Sequence, residues 1–65
     1  MKIDITKLSE RMKAKGFTHS SLSRAAGIPR QTVWRTVRGT NEPTLSTLAK
    51  ICSVLNLKVG DLLND

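Results

Sequence analysis

Arg30, Gln31, Trp34 and Arg35 recur at spacings that set all four on one side of a helix, with Thr32 and Arg38 beside them. The chemistry open to this group is the recognition of base edges. A guanidinium can bond the O6 and N7 of guanine together, and a carboxamide can do the same to adenine. Thr32 can reach a phosphate or a thymine methyl. Ile28, Val33 and Val37 are apolar at the complementary positions and serve as anchors. A helix about 10–12 Å wide with one anchored side and one hydrogen-bonding side fits a major groove about 12 Å wide. An ordinary solvated helix face would also carry Arg, Gln and Thr. Trp34 fits that plainer reading poorly, because indoles are usually buried or at interfaces.

Charge placement agrees. Eleven Lys and Arg against five Asp and Glu give a formal charge of +6 and a sequence pI near 10.3. From Arg11 to Asn41 there are seven basic residues (Arg11, Lys13, Lys15, Arg24, Arg30, Arg35, Arg38) and no acid. Asp4, Glu10, Glu42, Asp61 and Asp65 all lie outside that stretch. A one-sign segment between mixed-sign ends is the footprint of a polyanion binder, although a solvated basic surface without a partner would look the same on charge alone.

Other chemistries find little support. His19 is the sole histidine, with no Ser or Asp spacing around it that makes a triad, so no catalytic residue is expected. Cys52 has no second cysteine to pair with and no other soft ligand, which excludes an internal disulfide and argues against a metal site. Its place among apolar residues makes it a small core residue. Gly16, Gly27, Gly39 and Gly60 punctuate the chain and form no phosphate loop. No apolar run is long enough to span a membrane, and no signal-peptide core opens the chain, so a cytoplasmic location is expected. Sixty-five residues leave little room for a catalytic cleft with its scaffold. The expectation is therefore no enzyme, no cofactor, no small-molecule substrate and one domain over residues 1–65.

The elements that position these residues read as helices, since strand alternation fails throughout. Ile5, Leu8 and Met12 recur at helical spacing behind a capping Asp4, predicting a first helix from about Ile5 to Lys15 that stops at Gly16. Thr18 caps a second, ending near Ala26, with Leu22, Ala25 and Ala26 as its apolar face and Gly27 as its stop. Pro29 introduces a third, which turns Val33, Thr36 and Val37 inward and ends at Gly39. Thr40 to Pro43 read as a polar loop. Thr44 caps a fourth whose stripe is Leu45, Leu48, Ile51, Cys52 and Leu55, with Asn56 in the left-handed position after it. A short fifth helix holds Val59, Leu62 and Leu63. The predicted fold class is all-α: a compact five-helix domain with a helix-turn-helix at about residues 18–39.

The segments Phe17-Thr18-His19-Ser20-Ser21-Leu22-Ser23, Ala26-Gly27-Ile28-Pro29-Arg30-Gln31-Thr32-Val33 and Arg38-Gly39 resemble the helix-turn-helix of the phage Cro and repressor family. The tail, Glu42-Pro43-Thr44-Leu45-Ser46-Thr47-Leu48 and Leu55-Asn56-Leu57-Lys58-Val59-Gly60-Asp61-Leu62-Leu63, is similar to that family's last two helices. Each motif alone is loose, but the ordered set covers nearly the whole chain. With no second domain attached, the chain looks like a Cro-type repressor of phage or prophage. The resemblance implies double-stranded DNA as partner, a homodimer on a palindromic operator, and repression by blocking RNA polymerase. It puts Arg30, Gln31 and Arg35 where members read bases, with Trp34 on that face. Thr18, His19, Thr32, Thr40 and Asn41 fall where members touch phosphates, and Arg38 beside the reading face is expected to join them.

Three positions depart from the family pattern. His19 stands where Gln is usual, which can make its phosphate contact pH-dependent. Pro29 replaces a capping Ser or Thr. Met12 and Val37 replace an Arg and Glu that pair with each other, so an apolar contact is expected in place of a salt bridge. Dimer contacts are expected from Leu57, Val59 and Leu62, with Leu63, because these exceed what a short terminal helix needs for its own packing and because members pair there. So small a patch implies a weak dimer without DNA. The rival from another class is a protein-interaction module such as an antitoxin-like regulator, with Trp34 as a hot spot. A basic helix lying on a membrane is weaker still, because the fourth helix carries only Lys50 as a charge.

Overall fold

The computed structural model describes residues 3–40 and 42–63, and local capping chemistry accounts for most of its boundaries. Helix α1 runs over Ile5–Ala14, α2 over His19–Ala26, α3 over Arg30–Arg38 and α4 over Leu45–Leu55. The Asp4 carboxylate accepts from the Lys7 amide at 3.0 Å and starts α1. Thr18 and Ser21 form a reciprocal capping box at α2: the Ser21 amide donates to Thr18 Oγ1 at 3.1 Å, and the Thr18 amide donates to Ser21 Oγ at 2.8 Å. The Thr44 hydroxyl accepts from the Thr47 amide at 3.2 Å and starts α4. Pro29 precedes α3 with φ −61° and ψ 142° but offers no side-chain bond, so α3 begins without a cap.

Among the described residues there are four α-helices rather than five. The expected last helix is a single 3₁₀ turn, Val59–Leu62. Its bonds are of the tighter kind, Asp61 amide to Lys58 carbonyl at 2.9 Å and Leu63 amide to Gly60 carbonyl at 3.3 Å. The Asp61 carboxylate also accepts from the Lys58 amide at 3.0 Å, closing the segment on itself. Leu63 is extended and makes an antiparallel bridge to Ile3, while the Asp4 amide donates to the Leu62 carbonyl at 2.7 Å. The two ends of the chain are tied together there, and that pairing stops the helix from propagating.

The core gathers Leu8 and Met12 of α1, Leu22 of α2, Val33 of α3, Leu48, Ile51, Cys52 and Leu55 of α4, and Leu62. Phe17, Ile28, Val37, Leu57 and Val59 pack around it half-buried. Two expectations are corrected by this packing. Ala25 is exposed, and Ser23 is buried in its stead with its hydroxyl donating to the Ser20 carbonyl at 2.8 Å. Leu45 is 61% exposed, because the first position of α4 points off the core. Thr40, Glu42 and Pro43 lie in a loop as expected, with Pro43 buried. Met12 and Val37 line one shallow depression together with Phe17.

Candidate nucleic-acid interface

Helices α2 and α3 pack on one another more extensively than any other pair and are joined through Gly27. Gly27 sits at φ 71°, a left-handed conformation that costs glycine nothing, and it lets the chain turn sharply out of α2. Its amide donates to the Ser23 carbonyl, and so does that of Ile28, at 3.0 Å. At the far end Gly39, at φ 73°, stops α3; a Cβ there would lie 3.3 Å from Ile5 Cδ1, so both its conformation and its contact favour glycine.

Anchoring fixes which side of α3 is presented. Val33 is wholly buried, and Thr36 is 1% exposed with its hydroxyl donating to the Thr32 carbonyl at 2.8 Å. No buried side-chain polar atom among the described residues lacks a partner. Arg30, Gln31, Trp34, Arg35 and Arg38 are all exposed. Nine residues give α3 a length of about 14 Å, or roughly four base-pair steps.

The starts of α2 and α3 meet in an open cleft of about 660 Å³ lined by Thr18, His19, Ser20, Arg30, Gln31 and Trp34. Five of the residues singled out in the sequence are thus brought together, and Arg30 Nη1 donates to Ser20 Oγ at 3.4 Å across the cleft. Ser20 was not singled out beforehand. Its signal is its place in the first turn of a capped helix that packs against the start of the next. Arg38 joins from the C-terminal side, its guanidinium carbon 4.8 Å from the centre of the Trp34 ring. Arg35 lies on the exposed side of α3 outside the cleft, and its carbonyl accepts from the Thr40 amide at 3.1 Å and the Thr40 hydroxyl at 3.3 Å. Thr32 is half-buried. Asn41 lies outside the described residues. Exposed positively charged and neutral hydrogen-bonding groups make up this surface, and no carboxylate lines the cleft.

A family model described as the Cro/C1-type HTH DNA-binding domain matches residues 7–65. The chain belongs to that family. As a Cro/C1-type HTH domain it is a DNA-binding module of the kind that regulates transcription. No curated protein matches the chain significantly. Solved structures do. The N-terminal DNA-binding domain of SinR from Bacillus subtilis is 26% identical, with a TM-score of 0.86 over 94% of this chain and 90% of that one. SinR in complex with DNA is 25% identical, with a TM-score of 0.87 over 95% and 100%. The SinR–SinI complex is also similar, at 25% identity and a TM-score of 0.88, although the chain spans only 62% of its matching partner. No described helix is long and apolar enough to cross a membrane.

The C-terminal residues expected to pair two protomers divide. Leu57 and Val59 are half-buried and keep some surface. Leu62 is wholly buried within its own protomer and has none to offer, because the 3₁₀ turn directs it into the core. Burial also pushes the Cys52 thiol above its ordinary pKa, and the nearby Asp61 charge adds to the effect.

Proposed function

We propose that this protein is a Cro-type repressor that binds a palindromic operator as a homodimer, laying α3 in the major groove of each half-site. In this reading Arg30, Gln31, Arg35 and Trp34 face base edges, while Thr18, His19, Thr32, Arg38, Thr40 and Asn41 hold the phosphates on either side. The observation that carries the proposal is the acid-free cleft where the starts of α2 and α3 converge. A phosphate contact supplies affinity and register, and a base contact supplies sequence. A helix of this length reads only a few base pairs, too few to single out one site among millions. A two-fold pair of chains doubles the readout when their recognition helices stand about 34 Å apart. Leu57, Val59 and Leu63 supply the contact, and a patch so small leaves the dimer weak until DNA completes it.

Selection of bound sequences from a random duplex pool tests this directly. The expected product is a palindrome with half-sites one helical turn apart, and sedimentation with it should show two chains per duplex. One chain bound tightly to a half-site, with no gain from the second, would contradict the dimer.

A protein-interaction role is the second reading, favoured by the likeness to the SinR–SinI complex and by the exposed indole of Trp34. Salt separates the two. Binding through several phosphates weakens steeply as salt rises, whereas an apolar protein contact does not.

A further inference from the structure

Trp34 is 44% exposed, and it stands in the middle of a stripe formed with Arg30 and Arg38 at four-residue intervals along α3. The Arg38 guanidinium covers one face of the ring at 4.8 Å. Its other surroundings are Gln31 and the polar start of α2. An indole held this way has apolar surface left over and little nearby that is apolar to bury it against. In a duplex the faces of the bases are stacked on one another and closed to a side chain entering from the major groove. One apolar group is displayed there, the C5-methyl of thymine.

We propose that Trp34 reads the methyl group of a thymine in each half-site, and that Arg38 is the residue that sets the ring for the task. The proposal rests on α3 lying in the major groove. A guanidinium held over the ring still has N–H donors directed away from it, so the same group that steadies the indole keeps donors for a phosphate. It also neutralises the problem of placing an apolar ring beside the DNA backbone, since the ring arrives carrying a cation. The stacked pair therefore couples one methyl contact to one phosphate contact. That coupling makes Trp34 a determinant of specificity for a T·A pair, where the arginines beside it favour guanine and Gln31 favours adenine.

Replacing thymine by deoxyuridine removes only the methyl and keeps the pairing. Each thymine of the selected operator is exchanged in turn, and binding of the full chain is followed by fluorescence anisotropy. For the wild-type protein one position per half-site should lose about fourfold in affinity, the effect of burying roughly one methyl group. Trp34→Ala should bind thymine and uracil duplexes equally, and should bind both more weakly than wild type. Trp34→Leu should keep part of the preference, since it retains apolar surface without the stack. Trp34 is exposed, so these variants keep the core intact, and circular dichroism verifies it. If the protein prefers its operator over random DNA yet no uracil exchange matters, the methyl contact is wrong and the groove reading stands. If it shows no preference among duplexes at all, both are wrong. Tighter binding to single strands than to duplex would overturn the inference by making Trp34 a stacking platform for unpaired bases.

Discussion

Helices α3 and α4 are of similar length, nine and eleven residues, and they divide the labour of the fold between them. The α4 helix is capped at its start by Thr44, closed by Asn56 at φ 57°, and sends Leu48, Ile51, Cys52 and Leu55 into the core. The α3 helix has no side-chain cap, and only Val33 and Thr36 are fully buried. Most of its remaining surface is Arg, Gln and Trp facing solvent. What one helix contributes to stability the other leaves to its neighbours, and the residues this frees on α3 are the ones suited to bind DNA. With so few residues in the core, the side chains left to face solvent sit on a helix that the others hold in place.

The largest effect should come from breaking α4. Leu48 is wholly buried, so Leu48→Ala should cost about 2–5 kcal/mol and leave much of the chain unfolded at physiological temperature. Thermal denaturation measures the loss. At a temperature low enough to keep the variant folded, its preference among DNA sequences should match wild type. A changed preference would mean that α4 shapes the reading surface directly.

Arg35→Ala should do the reverse. Its side chain is exposed, so the melting temperature should hold, while affinity for the selected operator falls by about 1–3 kcal/mol and preference relaxes at one base pair. Equal losses on operator and random DNA would reduce Arg35 to a phosphate contact.

Capping offers a sharper version of the same contrast. Thr44→Ala removes a hydroxyl that accepts from the Thr47 amide and should cost about 1 kcal/mol, or roughly 4–8 °C in Tm. Pro29→Ala has no capping bond to lose, so its cost should stay within about 0.4–1 kcal/mol, arising from a less restricted unfolded chain. A loss at Pro29 larger than that at Thr44 would show that α3 depends on its own start more than its anchors imply.

The smallest effect concerns Cys52. Its thiol is held above the ordinary value of 9.0 by burial first and by Asp61 second. A raised folded pKa contributes stability that is complete below the unfolded value and is lost as pH climbs toward the folded one. Chemical denaturation should therefore show stability declining from pH 9 upward, and the decline should be shallower in Cys52→Ala. An unchanged slope would place the alkaline loss elsewhere.

Much of this arrangement was legible before any coordinates. Asp4, Thr18, Thr44 and Asn56 act as the caps their residue types announce, and the three-and-four spacing of Leu8, Met12, Leu48, Ile51, Cys52 and Leu55 gives the core. Which side of α3 is exposed also followed from its apolar anchors. The misreadings share a cause. Ala25 and Leu45 are apolar and fall on helical stripes, but which edge of a stripe is covered depends on the neighbouring helix, and periodicity does not carry that. Ser23 could be buried only because the Ser20 carbonyl was within reach of its hydroxyl. The bridge between Ile3 and Leu63 spans almost the full chain and has no local signature, yet it decides that the last turn is 3₁₀ and that Leu62 points inward rather than toward a second protomer.

The contrast between α3 and α4 can be tested residue by residue. Titrating the ¹⁵N-labelled protein with its selected operator duplex and following the backbone amides shows which helix meets DNA. The account predicts the largest shifts across Arg30–Arg38 and the first turn of α2, with Leu48, Ile51, Cys52 and Leu55, the buried positions of α4, nearly still. Shifts concentrated in α4 and the C-terminal turn, with α3 unmoved, would contradict it.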